Sequence, residues 1–212
     1  MIVMSHRGLW KEEKEKNTET AFRRSFVLGF GTETDIRDCC GELVISHDIA
    51  DNNCMSLGYF FGIYKSYSVD LPLALNIKAD GLQKKLLSEI IKYEISNYFV
   101  FDMSVPDGLA CLKAGLRTFT RQSEFEPYPA FYEAAQGVWV DEFTDHWVDE
   151  ATIANHLTKG KDICIVSPEL HKRPMQKEWQ HYKKISSCSG AGGRVMICTD
   201  LPEEAERMFN EN

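Results

Sequence analysis

Short apolar runs recur along the chain with little polar alternation inside them, and most are followed by a stretch of helical period. Ile2-Val3-Met4, the segment from Thr32 to Ile36, and Leu43-Val44-Ile45 read as the first strands. Between the first two, Asn17-Thr18-Glu19-Thr20-Ala21-Phe22 opens a helix that runs to Gly29, with a plausible cap ahead of its apolar positions. Residues 49–70 are aromatic and contain glycine, and predict only a short helix and a loop. Leu73 to Lys78 is a strand stopped by Asp80-Gly81, after which Leu82, Leu86, Ile90 and Ile91 recur at helical spacing. Tyr98 to Asp102 is the next strand, and a helix from Pro106 to Ala114 is ended by Gly115. Arg117 to Arg121 is a strand, Phe131 to Ala135 a short helix, Val138 to Asp141 a strand and Asp149 to Leu157 a helix. Asp162 to Val166 and Arg194 to Cys198 are the last strands, with helices over Met175–Ile185 and Pro202–Phe209.

Strands apolar on both faces suit a parallel sheet covered by helices. With the Glu33 strand and its Leu43 continuation taken as one unit, eight strand–helix units emerge. That predicts an α/β fold, a single compact (β/α)8 TIM barrel over residues 1–212. A doubly wound sheet is disfavoured, because no glycine-rich turn follows the first strand.

Bulk composition narrows the function classes. Hydrophobic residues at 43% and charged residues at 26% are those of a soluble globular protein. The formal net charge of -8 argues against a nucleic-acid backbone as partner, which needs a basic stripe. A small anionic substrate is compatible with that charge if a metal ion or local cations reverse the potential in the site. No run of 18 or more apolar residues is present, so no transmembrane helix is expected. No signal peptide is visible, and seven cysteines without metal-finger spacing suit reduced thiols in a cytoplasm. The oligomeric state is not legible.

Three clusters carry the candidate chemistry: Ser5-His6-Arg7-Gly8, Glu33-Thr34-Asp35-Ile36-Arg37 and Ser46-His47-Asp48, each at or just beyond an apolar run. Side chains alternate along a strand, so Glu33 and Asp35 share a face and make half of a hard-cation site. His6 and His47 titrate near neutrality and suit proton transfer, while Arg7 suits a phosphate clamp. Further polar residues fall at later strand ends, where a barrel builds its site: Asn76, Lys78, Asp102, Arg121, Asp141, Glu169 and Asp200. Arg121, Glu124, Asp141 and Glu169 read equally as head-group contacts or as a buried ion-pair ring. Trp139 reads as core. Among His146, His156, His171 and His181 only His171, near Glu169, merits mutation. The glycine cluster Gly190-Ala191-Gly192-Gly193 precedes a strand and reads as a loop on the inactive face.

The order His6-Arg7-Gly8, Asn17-Thr18 with Ala21-Phe22, Glu33-x-Asp35, His47-Asp48, Ile77-Lys78 and Thr199-Asp200-x-Pro202 resembles the glycerophosphodiester phosphodiesterase family. The resemblance implies a (β/α)8 barrel that hydrolyses a small phosphodiester with a divalent cation, Mg2+ or Ca2+ by its oxygen ligands. It implies His6 and His47 as the acid/base pair, Arg7 on the phosphate, Glu33 and Asp35 on the metal, and Lys78 over the developing charge. Arg121 and Glu169 are the further substrate-binding candidates. Two positions depart from the family pattern: Lys16 replaces a glutamate, and Asn76 replaces the third metal ligand, also a glutamate. An amide oxygen can ligate but brings no charge, so weaker metal binding is expected, or a substitute carboxylate from Asp102. Two alternatives stay open: attack by a substrate hydroxyl that releases a cyclic phosphate, and a barrel that binds a phosphate ligand without turnover.

Overall fold

The computed structural model describes residues 1–186 and 192–211. Part of the Gly190–Gly193 cluster therefore lies outside the described residues. The chain forms two compact units, Ser5–Thr118 and Met1–Met4 with Phe119–Asn212. Strand β1 (Ile2–His6) contributes its first residues to one unit and Ser5-His6 to the other.

The Ser5–Thr118 unit is built on β2 (Gly31–Cys39), which pairs in parallel with β5 (Leu73–Ile77), itself parallel to β6 (Tyr98–Phe101). Strand β3 (Glu42–Ile45) folds back antiparallel on β2 through the Cys40-Gly41 turn, and the two-residue β4 (Met55–Ser56) pairs with β3. Helices α1 (Glu19–Val27), α2 (Leu57–Lys65), α3 (Gln83–Lys92) and α4 (Val105–Ala114) complete the unit. Each start has a local cause. The Thr18 hydroxyl accepts the Ala21 amide, Ser56 that of Tyr59 and Ser104 that of Asp107, so three helices begin on a side-chain cap. Gly115, at φ 85°, ends α4 in the left-handed conformation that favours glycine. The core is aromatic: Phe22 and Phe60 meet edge-on with centroids 4.6 Å apart, and Phe26 meets Tyr64 at 5.3 Å.

The other unit carries four parallel strands in sequence order, β7 (Phe119–Gln122), β8 (Gly137–Val140), β9 (Asp162–Val166) and β10 (Val195–Thr199). Helices α5 (Glu150–Thr158), α6 (Gln176–Ser186) and α7 (Pro202–Phe209) accompany them. Ile163, Cys164, Ile165, Met196 and Ile197 are fully buried, as strands covered on both faces require.

Two expectations are corrected. Residues 131–135 form a hydrogen-bonded turn, with Phe131 at φ 44°, instead of a short helix. A left-handed residue at its start cannot propagate a right-handed helix. Residues 49–70 hold the expected short helix as the nine-residue α2, but the stretch expected as loop also contains the two-residue strand β4. No helix among the described residues is long and apolar enough to cross a membrane.

Candidate active site

The site of the Ser5–Thr118 unit is assembled along the parallel pair of β2 and β5, with Asp35 at the middle of β2 and Asn76 next to the end of β5. Asp35 and Asn76 are register partners across the parallel pair, and Glu33 lies two residues before Asp35 on the same face. All three side chains are buried. Glu33 Oε2, Asp35 Oδ1 and Asn76 Oδ1 are each buried without a hydrogen bond from any described residue. Buried oxygens left without donors are costly, so three on one strand-pair face mark a place built for something positive. Among the described residues no three His, Cys, Asp or Glu side chains converge as a metal cluster. Asp102, the carboxylate expected as a substitute ligand, has its Oδ2 3.3 Å from Lys78 Nζ. The third oxygen on this face is the Asn76 amide.

Cations surround the acidic pair. Arg7 Nε lies 2.9 Å from Asp35 Oδ2, an ion pair without hydrogen-bond alignment, and Lys78 Nζ lies 3.6 Å from Asp35 Oδ1. Asn17 donates its amide to Asp35 Oδ2 at 2.8 Å and accepts the Thr34 hydroxyl at 2.9 Å, which fixes the orientation of its amide. His6 Nε2 lies 3.9 Å from Glu33 Oε2. Burial pushes the Glu33 carboxyl up to about 7, the Asp35 charge adds to that rise, and His6, Arg7 and Lys78 pull against it. Arg7, Asn17 and Asp102 all hold left-handed backbone, at φ 60°, 60° and 68°. Such strain persists where the surroundings over-determine it, and here it gathers around one carboxylate pair.

His47 stands at the open side. Its Nδ1 is 2.8 Å from Asp48 Oδ1, and Arg37 holds its carbonyl at 3.2 Å. The contact with His47 holds the Asp48 carboxyl below its usual range. His47 and Arg7 line the same cleft of about 480 Å3, together with Lys16, Asn17, Thr18 and Ser46. His47 and Arg7 thus share one cleft, and Arg7 in turn pairs with Asp35, which Lys78 approaches from the other oxygen.

Arg121 and Glu169 belong to the other unit. Arg121 pairs with Glu126, and its guanidinium lies 6.0 Å from the Phe143 ring centroid. Glu169 accepts the Ser167 and Thr199 hydroxyls and the Asp200 amide at 3.1 Å. Those bonds tie the ends of β9 and β10 together. His171 Nε2 lies 2.6 Å from Asp141 Oδ1, and buried Glu142 accepts from Tyr182, His146 and the Trp147 and Val148 amides. His156 is a core residue: Tyr132 and Gln122 each bond one ring nitrogen at 2.7 Å, and burial depresses it to about 4. Trp139 is buried, as expected of core. Asn17 was legible only as part of a motif; its contacts with Asp35 and Thr34 require the fold.

No model of a known protein family matches the chain, and no curated protein matches its sequence. Solved structures do. A glycerophosphodiester phosphodiesterase from Agrobacterium tumefaciens superposes with a TM-score of 0.68 at 12% identity, covering 96% of this chain and 97% of that one. A glycerophosphoryl diester phosphodiesterase from Parabacteroides distasonis gives 0.67 at 12% identity, covering 98% and 85%. A phosphoribosyl anthranilate isomerase from Thermus thermophilus gives 0.57 at 8% identity, covering 100% and 98%. Identities this low establish the fold alone, and the isomerase shows that one fold carries different chemistries. The fold is α/β with a mostly parallel sheet, of the (β/α)8 TIM-barrel class, and is shared with solved glycerophosphodiester phosphodiesterases.

Proposed function

We propose that the chain is a divalent-cation-dependent phosphodiester hydrolase acting on a small glycerophosphodiester-like molecule. The observation that carries the reading is the set of buried oxygens from Glu33, Asp35 and Asn76 without hydrogen-bond donors, bordered by His6, Arg7 and Lys78. These oxygens suit Mg2+ or Ca2+, both hard cations, and Glu33, Asp35 and Asn76 would hold the ion. When bound, the cation supplies Lewis-acid polarisation of the phosphoryl group.

The chain's own residues do the rest. Arg7 and Lys78 place fixed positive charge on the phosphate as it turns trigonal-bipyramidal. One of His6 and His47 takes the proton of the attacking water, and the other returns a proton to the leaving alkoxide. In His47, the Asp48 contact engages Nδ1 and leaves Nε2 as the working nitrogen. The six described cysteines are free thiols, which supports a reducing compartment such as the cytoplasm.

The test is a metal-titrated assay on an aryl phosphodiester with His6→Ala and Glu33→Ala as controls. Turnover that requires Mg2+ or Ca2+ and falls by about 100-fold or more in His6→Ala is expected. Equal rates in all three proteins defeat the reading. The neutral Asn76 amide favours a second reading, a site that binds phosphate weakly without turnover, and that reading predicts ligand binding at metal concentrations where no product forms. 31P NMR of the product separates a phosphomonoester from a cyclic phosphate.

A further inference from the structure

The cleft that joins His47 to Arg7 also contains a lysine whose surroundings suggest what the substrate carries beyond its phosphodiester. Most ionised groups lining the cleft are already matched. Arg7 is paired with Asp35 at 2.9 Å, and Asp48 with His47 at 2.8 Å. Glu19 takes Arg23 at 2.7 Å and the Tyr59 hydroxyl at 2.8 Å. Among the cations lining the cleft, Lys16 is the exception. Its nearest carboxylate is Glu13, 3.7 Å away on a side chain 87% exposed, and a contact so open to water contributes little.

The Lys16 ammonium is nonetheless held in place. Its side chain is only 22% exposed, and Nζ lies 4.4 Å from the centre of the Trp10 ring. The indole is itself anchored, donating Nε1–H to the His6 carbonyl at 3.2 Å. An open indole face is the usual receptor for a quaternary ammonium head group. Here a lysine already occupies it, so a cationic head group meets repulsion where it would otherwise find a π-face. An anionic group meets a positioned, weakly engaged cation on the wall of the same cleft.

We infer that Lys16 selects substrates whose second alcohol bears an anion, a phosphomonoester or a carboxylate, over those bearing a quaternary ammonium. The inference rests on reading the site as a phosphodiesterase, and Lys16 touches the head group, not the reacting atoms. The test uses three diesters of glycerol 3-phosphate, with choline, glycerol or a terminally phosphorylated glycerol as the second alcohol, on the full chain with Mg2+. A kcat/KM about tenfold higher for the phosphorylated ester than for the choline ester is expected from one partly exposed charge contact. Lys16→Gln collapses that ratio, and added NaCl shrinks it in the wild type. Because the readout is a ratio, any loss of folded enzyme in the variant cancels.

A wild-type ratio near one, or a ratio that Lys16→Gln leaves in place, overturns the inference while the hydrolase reading stands. Absence of turnover of all three esters with Mg2+ or Ca2+ defeats the hydrolase reading instead, and isothermal titration of the same esters then judges Lys16. Tighter binding of the phosphorylated ester that disappears in Lys16→Gln sustains the assignment. Equal binding, or none, ends it.

Discussion

At the scale of single residues, the electrostatic tension in the site resides in Glu33. Its carboxyl stands at about 7 against an ordinary 4.5, chiefly because burial disfavours its charge. In the metal-free protein below pH 4.5 it is protonated in both folded and unfolded chains, and its contribution is neutral. As pH rises from 4.5 to about 7 the unfolded chain ionises while the folded one resists, so stability falls by about 3 kcal/mol across that window and levels off above it. Glu33→Gln is therefore expected to raise the thermal midpoint of metal-free protein at pH 8 and to leave it nearly unchanged at pH 4. An equal effect at both values would remove the buried charge as the cause. Asn76 is the complementary case. A glutamate there adds charge on the face shared with Asp35, so Asn76→Glu is expected to tighten Mg2+ or Ca2+ binding by about tenfold or more in calorimetric titration. Unchanged affinity would place the third ligand elsewhere.

At the scale of elements, the turn from β1 into α1 ties strand end to helix. Gly8 sits there at φ 82°, its amide bonded to the Thr32 hydroxyl, and a Cβ would lie 2.8 Å from the Ala21 carbonyl carbon. Gly8→Ala must both adopt a left-handed backbone and displace the first turn of α1, and it is expected to cost at least about 1 kcal/mol. Thermal unfolding read by circular dichroism checks it, and a wild-type midpoint would show that the turn relaxes freely. This turn also places Arg7 and Asn17, whose backbones bond to each other at 3.0 Å, so activity is expected to suffer with stability. The helix starts at Thr18 and Asp149 and the stop at Gly115 follow from local chemistry and were legible. Strand β4 and the bounds of the short helix expected within residues 49–70 were not, because a run such as Tyr59-Phe60-Phe61 has no period that separates strand from buried helix.

At the scale of the whole molecule, alternation of buried strands and helices was readable because parallel strands leave continuous apolar runs. The division into two compact units was not, since it depends on contacts among residues far apart in sequence. Strand β1 nonetheless gives residues to both units, so we propose a single domain and expect one cooperative transition in differential scanning calorimetry. Two separated transitions would divide the chain into independent folding domains. Glu169 illustrates the limit on reading sites from strand ends. Its position suggested a head-group contact or a buried ion pair, and only the fold shows that Thr199 and Asp200, thirty residues on, bond to its carboxylate.

The amino-acid sequence by itself determined the α/β class and the common face of Glu33 and Asp35, because strand alternation is a local property of the backbone. It also marked His6, Arg7, His47 and Lys78 as candidates by placing them at the ends of apolar runs. Only the tertiary structure decided that Asn76 stands beside Asp35, that Asn17 holds that carboxylate, and that Lys16, which lines the cleft of His47, lies over the Trp10 ring. Those outcomes depend on strand register and loop packing between distant segments, which no local pattern specifies.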